Sequence, residues 1–472
     1  MKNENRTPLQ IAVFFLSLLF VFGFGSYLNT FFNFPITKSF SVELPEWKIY
    51  EKDPLKKVNI ETDPIQVIDT LINNQPKLEK IEIVYPNLPT GLSQISFSPN
   101  DSVGFSGFYK SLNNLDEKDA IRILHFGDSQ IEGDRMTREI RDFFQNKYGG
   151  EGAGIQNLTP FVPMAAVDHR TQGEWRRMVS FGRKNQKQEQ GRYGLTGVAH
   201  SYEQQNNDYP DAIISFRPRK YGYEKARRFS SFELSHGPSK GPLEVKWFAN
   251  DTLWRIQYID SSASEGNLVL VAPESVAQLR LEFRGKSPDW YGISLDGKSG
   301  VNVDNISMRG ASGLSFTQMD QIHFGRQLRH KNIGLVILQF GGNSVPYFKS
   351  KEAVARYGKS FIRQIKLFQE LLPTADILVI GPSDMAVKDG LNWVSYPFVS
   401  EVRDVMRQAA FSENVGFFDL FDLMGSEGSM VDWVNQSPPL AGPDHIHFTP
   451  RGSKKVGKAI VASLEFELGR YE

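Results

Sequence analysis

The stretch from Ala120 to Tyr148 constrains the fold more than any other. Ala120 to Phe126 reads as a buried strand, and Met136, Ile140, Phe143, Phe144 and Tyr148 follow at helical spacing. Between them lies a tight turn, Gly127-Asp128-Ser129. A strand, a turn and a helix put Ser129 at the carboxyl end of a strand, where open α/β sheets bind ligands. The rhythm returns downstream, where Ile333 to Phe340, Ile377 to Gly381 and Val415 to Leu420 read as strands. Val354 to Leu372 reads as a helix with Phe361, Ile365, Phe368 and Leu372 on one stripe. Pro450 to Leu464 reads as another, with Val456, Ala459, Ile460 and Leu464 facing inward. Thr449-Pro450 supplies its N-cap and a proline at the first helical position.

The middle breaks this rhythm. From about 170 to 300 the segments are short and strand-like: Ala212 to Phe216, Ser230 to Leu234, Leu243 to Phe248, Leu253 to Tyr258, Asn267 to Val271 and Ala277 to Phe283. Gly, Pro, Asn and Asp punctuate them, which predicts a β-sandwich inserted into the α/β domain. Trp247, Trp254, Tyr258, Trp290 and Tyr291 in this region are either sandwich core or stacking surfaces for sugar rings. Arg217, Arg219, Lys220, Arg227 and Arg228 make a basic stretch, read as a solvated face, with contact to an anionic glycan as the alternative.

At the N-terminus, Lys2 and Arg6 precede an uncharged apolar run from Ile11 to Leu28. Its length is at the lower limit for a membrane span, and Tyr27, Phe31 and Phe32 suit an interface belt. The run reads as an uncleaved anchor, with a cleaved signal peptide as the alternative. Either predicts export, because the positive charges stay on the cytoplasmic side. Residues 33 to about 100 are rich in proline and charge and read as a tether. The net charge of the 472-residue chain is zero, and no basic block points to nucleic acid as a partner. The chain contains no cysteine, so disulfides, a thiol nucleophile and Cys-ligated metal are excluded.

A serine hydroxyl is a weak nucleophile until a base takes its proton. His447 is the candidate base for Ser129, and Asp444 is placed to orient its ring. Gly341-Gly342-Asn343 directly follows a strand, so the Asn343 amide is a candidate donor to the oxyanion. A second donor lies in the block Arg309 to Ser315, at Gly313 or Gly310, and the Ser129 N–H is the third. A metal site built from Asp444, His445 and His447 would be a cramped set, with no distal motif to complete it.

The order Gly-Asp-Ser, Gly block, Gly-x-Asn and Asp-x-x-His resembles the SGNH or GDSL serine hydrolases. The resemblance gives Ser129, Gly313, Asn343 and His447 the four naming roles, with Asp444 as the acid. It implies a flavodoxin-like, three-layer α/β/α hydrolase that needs no cofactor. Two positions depart from the pattern: Gln130 stands where Leu is frequent, and Ser344 where Asp often follows Asn. Gly150 to Gly154, Trp290 to Leu295 and His447-Phe448-Thr449-Pro450 are similar to the peptidoglycan O-acetylesterases and related polysaccharide acetylesterases. That similarity implies an O-acetylated glycan substrate.

The expected organisation is an N-terminal anchor (1–32), a linker (33–102), a hydrolase split into 103–169 and 301–472, and a carbohydrate-binding-like β-sandwich inserted at 170–300. The expected protein is a single-pass protein of the bacterial cytoplasmic membrane whose esterase domain faces the periplasm. Two rivals remain at this stage: an O-acetyltransferase with the same triad, and a non-catalytic glycan-binding protein.

Overall fold

The computed structural model describes residues 94–101, 103–116, 119–205 and 208–471. The expected membrane segment, 11–28, and most of the expected linker lie outside the described residues. Among the described residues, no helix is long and apolar enough to cross a membrane. The end of the expected linker is part of the fold: Ile95–Ser96 (β1) pairs antiparallel with the edge of the central sheet.

The other strands of that sheet are Ala120–Gly127 (β2), Gly300–Ser307 (β3), Ile333–Gln339 (β4), Asp376–Ile380 (β5) and Gly416–Phe418 (β6). Their spatial order is β1-β6-β5-β4-β2-β3, and β2 to β6 are mutually parallel. The order reverses at β2, which lies between β3 and β4, so the ends of β2 and β4 flank the switch point where such sheets bind ligands. Ser129 follows β2, and Asn343 follows β4.

Both faces of the sheet are covered, which is why its strands read as continuous apolar runs. Leu124, Phe126, Val336 and Leu338 pack with Phe361 and Phe368 of helix Lys351–Leu371 and Met406 of helix Val399–Ser412. On the opposite face Ile121, Ile123, Leu335 and Ile337 pack with Phe144 of helix Thr137–Tyr148 and Ile460 of helix Pro450–Leu468. The last helix starts as its sequence predicts: Thr449 Oγ1 accepts from Gly452 N at 3.2 Å, with Pro450 next.

The crossover from β2 to β3 contains helix Thr137–Tyr148 and two antiparallel sheets, one of five strands and one of six. One has the order Thr252–Ile259, Leu243–Ala249, Leu279–Gly285, Ala212–Pro218, Val167–Gln172. The other runs Gly266–Val276, Phe229–His236, Trp290–Asp296, Val198–Tyr202, Trp175–Val179, and Gly152–Gln156 pairs with its Trp290–Asp296 strand. The β-rich region therefore takes in two strands that begin before residue 170. Their pairing partners are distant in sequence, so no local pattern marks them. The sheets share one core, in which Phe216, Phe232, Trp247, Phe283 and Trp290 are fully buried. Trp247, Trp290 and Tyr291 are thus interior side chains, not sugar-stacking surfaces; Trp254 packs on Phe232, and only Tyr258 of the five candidates is exposed. In the basic stretch, Arg217 faces Asp251 and Arg228 faces Glu224 across exposed 3.9 Å ion pairs.

A buried ion cluster ties this region to the central sheet. Arg122 of β2 donates to both oxygens of Asp304 of β3 (2.7 and 2.8 Å) and pairs with Asp296 of the antiparallel strand. Asp304 also accepts from Ile155 N at 2.8 Å. Burial works against the Arg122 charge, but the two carboxylates outweigh it and raise its pKa.

Candidate active site

The turn after β2 places Ser129 at the sheet's carboxyl end, facing the loop before the last helix. Ser129 Oγ lies 2.7 Å from His447 Nε2, and His447 Nδ1 lies 2.7 Å from Asp444 Oδ2. The other oxygen, Asp444 Oδ1, accepts from the backbone N–H groups of Ile446 (3.1 Å) and His447 (3.0 Å). Burial alone would raise the Asp444 carboxyl, but the bonds from the His447 ring, His447 N and Ile446 N outweigh it and hold it below its ordinary value. An ionised Asp444 only accepts, so His447 carries its proton on Nδ1 and offers Nε2 to the serine hydroxyl. The three residues expected to act together are in hydrogen-bond contact.

Two interactions fix the loop that carries His447. Gln130, next to the serine, donates from Nε2 to Ile446 O at 2.6 Å and to Ser383 Oγ at 3.2 Å. This occupies the position where the family pattern often has Leu. His445 adopts φ of 55°, a left-handed conformation that is costly for a non-glycine residue. Its ring stacks on Trp393 (3.7 Å between centroids, 16° between planes), and its carbonyl accepts from Ala386 N at 2.9 Å. Trp393 and Ala386 belong to the hairpin Ala386–Asp389/Asn392–Ser395. His445 and His447 therefore face different partners. No local sequence signal marked this hairpin as part of the site.

The oxyanion candidates are placed less uniformly. The N–H groups of Ser129, Gly310 and Gly313 donate to no protein acceptor among the described residues. Gly313 has φ of 80° and packs so close to Phe340 that a Cβ would lie 2.7 Å from that ring, whereas nothing lies near Gly310. Phe340 lines the cavity beside Ser129, so the packing favours Gly313. Asn343 is near Ser129 but does not aim a free amide at it. Its Nδ2 donates to Asp128 Oδ2 at 3.1 Å and to Ala311 O at 3.2 Å, so both hydrogens are taken. The cause is Asp128, which is buried and also accepts from Gln130 N at 2.9 Å. Burial pushes its pKa up to about 6, against the opposing effects of Gln130 N, His447 and Asn343.

A cavity of about 170 Å³ opens beside Ser129 and His447. Phe340, Pro346, Pro382, Met385, Leu420 and Ile446 give it an apolar wall. Beneath the nucleophile runs a directional chain of buried bonds. Asn305 Nδ2 donates to Thr137 Oγ1 (2.7 Å), which bonds His125 Nδ1 (2.9 Å), and His125 Nε2 bonds Gln339 Oε1 (3.0 Å). Burial lowers the His125 pKa to about 4, so the ring is neutral.

Residues 276–455 match the model of the GDSL-like lipase/acylhydrolase family. That segment carries a GDSL-like acylhydrolase domain, and the chain is a carboxylic ester hydrolase. The match includes Gly313, Asn343, Asp444 and His447, while Ser129 lies upstream, before the β-rich region. A solved peptidoglycan O-acetylesterase superposes with TM-score 0.62 at 22% identity, covering 80% of this chain and 99% of its own. A salicylyl-acyltransferase, SsfX3, is more distant at TM-score 0.30 and 12% identity, with 66% and 97% covered. A family two carbohydrate esterase from Cellvibrio japonicus follows at TM-score 0.25 and 10% identity, with 65% and 100% covered. Among curated proteins, none matches the chain.

Proposed function

We propose that the protein is an extracytoplasmic serine esterase that removes O-acetyl groups from a cell-envelope glycan such as peptidoglycan. The observation that carries the reading is the relay from Ser129 Oγ through His447 to Asp444, with both side-chain contacts at 2.7 Å. His447 takes the hydroxyl proton as Ser129 attacks the ester carbonyl, and Asp444 stabilises the resulting imidazolium. The free N–H groups of Ser129 and Gly313 receive the oxyanion, each such donor being worth ~3–4 kcal/mol of barrier. Asn343 joins them by exchanging its neutral bond to Ala311 O for one to the oxyanion. His447 then gives that proton to the leaving sugar oxygen as the ester C–O bond breaks, releasing the hydroxyl. Water activated by the same ring hydrolyses the acetyl-enzyme.

The apolar cavity beside Ser129 suits a short acyl group. The glycan assignment draws on the sequence similarity to peptidoglycan acetylesterases and on the peptidoglycan O-acetylesterase among the structural neighbours. In this reading residues 11–28 hold the protein to the cytoplasmic membrane. The proline-rich stretch after them spans to the catalytic domain outside it. The β-rich region is an insertion in the hydrolase.

The test is acetate release from O-acetylated peptidoglycan, with Ser129→Ala in parallel. Serine-dependent release supports the reading. Acetyl transfer to an added saccharide in place of free acetate would make the protein a transferase. Cleavage of an aryl acetate alone would refute the peptidoglycan substrate.

A further inference from the structure

The peptide that joins Ser312 to Gly313 is held from one side. Its carbonyl, Ser312 O, accepts from the hydroxyl of Tyr357 at 2.8 Å. Its N–H, that of Gly313, donates to no protein acceptor among the described residues. The bond is trans, so the carbonyl and the N–H point in opposite directions across one plane. A carbonyl fixed toward Tyr357 therefore fixes the Gly313 N–H away from it.

The rest of the loop is tied down by other bonds. Met308 N donates to Gly127 O at 2.7 Å, which joins the loop to the end of β2. Arg309 Nε donates at 2.9 Å to the buried Glu132, in the turn after Ser129. Ala311 N donates to Met308 O at 2.9 Å, and Ala311 O accepts from Asn343 Nδ2 at 3.2 Å. These bonds leave one rotation open, that of the Ser312–Gly313 plane, which changes ψ of Ser312 and φ of Gly313 together. Gly313 has φ of 80°, and a residue without a Cβ adopts the opposite sign about as readily. A larger residue that resisted the flip does not fit, because its Cβ would lie 2.7 Å from the Phe340 ring. The glycine that close packing demands thus leaves the direction of its own N–H unset by sterics.

Tyr357 supplies the missing constraint. It is buried on helix Lys351–Leu371, with its ring packed between Phe348 and Phe361. Burial and then Asp128 raise its pKa well above the ordinary tyrosine value, against an opposing effect of Ser344, so the hydroxyl keeps its proton. That single hydrogen has Ser312 O at 2.8 Å and Met406 Sδ at 4.0 Å within reach, and the carbonyl is both nearer and the stronger acceptor.

We propose that Tyr357 is a positioning residue of the oxyanion hole, its hydroxyl holding the Ser312–Gly313 peptide in the plane that presents the Gly313 N–H to the oxyanion. This rests on the reading of Ser129 as the nucleophile and Gly313 as an oxyanion donor. The flipped plane would present Ser312 O to the developing negative charge, exchanging an attraction for a repulsion. Tyr357 itself touches no reacting atom.

The test is Tyr357→Phe in the full chain, which removes one oxygen and keeps the ring in its packing. On an aryl acetate, kcat should fall about tenfold or more with KM nearly constant, below the roughly hundred- to thousandfold that loss of a whole donor costs. An aryl trifluoromethyl ketone, whose hemiketal with Ser129 carries the oxyanion, should lose affinity by a similar factor. Ile365→Val, a core change on the same helix, should lower the melting temperature and leave both quantities unchanged. Amide NMR reads the direction of the N–H. Isotopes placed together at serine carbonyl carbons and glycine nitrogens single out three Ser-Gly amides, those of Gly107, Gly300 and Gly313. The Gly313 proton should move downfield when the wild type binds the ketone, and less in Tyr357→Phe. The wild-type shift alone remains decisive if the variant does not fold. An unshifted Gly313 amide in the ketone-bound wild type would overturn the proposal. So would unchanged kcat and ketone affinity in Tyr357→Phe, or equal losses in Ile365→Val. Acetate release that survives Ser129→Ala would instead overturn the catalytic reading.

Discussion

Replacing Gln130 with leucine tests whether the His447 loop is held for catalysis or only for stability. Leucine fills nearly the same space and is frequent at this position in the family pattern, but it deletes the amide. Two bonds go: the 2.6 Å bond to Ile446 O and the 3.2 Å bond to Ser383 Oγ. Neutral bonds of this kind are worth about 0.5–1.5 kcal/mol each, so the loss of stability should be roughly 1–3 kcal/mol. In a domain of this size that lowers the melting temperature by a few degrees. Ile446 directly precedes His447, so the bond to its carbonyl also sets the approach of Nε2 to Ser129 Oγ. If the whole of that bond's worth, about 0.5–1.5 kcal/mol, is realised in the transition state, kcat falls about two- to twelvefold, since each ~1.4 kcal/mol is tenfold. The assay is steady-state hydrolysis of an aryl acetate, with thermal unfolding of the same samples. A drop in kcat with KM nearly constant is the expected pattern. A lowered melting temperature with unchanged kcat would refute the positioning argument and leave Gln130 a structural residue.

Three further outcomes follow from the same geometry. Trp393→Ala removes the ring stacked on His445 and should lower kcat on an aryl acetate severalfold, while Trp393→Phe, which keeps an aromatic face, should recover most of it; equal rates in both variants would disprove the clamp. Asp128, with its pKa pushed up to about 6, binds a proton more tightly folded than unfolded. Its cost to stability is therefore absent below its ordinary value and grows as pH rises toward 6, reaching ~3 kcal/mol at 1.36 kcal/mol per unit. Urea titrations at pH 4 and pH 7.5 should show that cost in the wild type and a smaller pH difference in Asp128→Asn; the same difference in both would contradict it. Arg122→Met leaves Asp296 and Asp304 buried without their cation and should cost about 3–5 kcal/mol, read from the urea midpoint; a loss under 1 kcal/mol would mean that water reaches the cluster.

What was legible in the sequence follows a physical division. Strands β2, β4 and β5 were readable because burial on both faces makes them continuous apolar runs. The last helix was readable because Thr449 and Pro450 act locally on its first turn. Ser129, Asp444 and His447 stood out because such chemistry uses few residue types in short motifs, and the fold brings two motifs 318 residues apart into contact. Pairings across long separations were not legible. Gly152–Gln156 joins Trp290–Asp296 through backbone bonds that any side chains could accompany, and Ile95–Ser96 joins Gly416–Phe418 in the same way. Nor did the sequence distinguish a buried tryptophan from a sugar platform, because an aromatic side chain suits either face of a strand and only the pairing of the two sheets buries Trp247 and Trp290. The partners of Asn343 were hidden for a related reason. A Gly-x-Asn motif gives the amide's position on the strand end, but Asp128 and Ala311 decide where its hydrogens go. The hairpin behind His445 had no signal at all, since its role appears only when Trp393 reaches the His447 loop.

The most direct test of the account is covalent labelling by a fluorophosphonate, which reacts with a serine only when a base activates it. Stoichiometric modification is expected at Ser129, located by peptide mass mapping, abolished in His447→Ala and strongly slowed in Asp444→Asn. An unlabelled Ser129 in folded protein, or labelling that persists without His447, would contradict it.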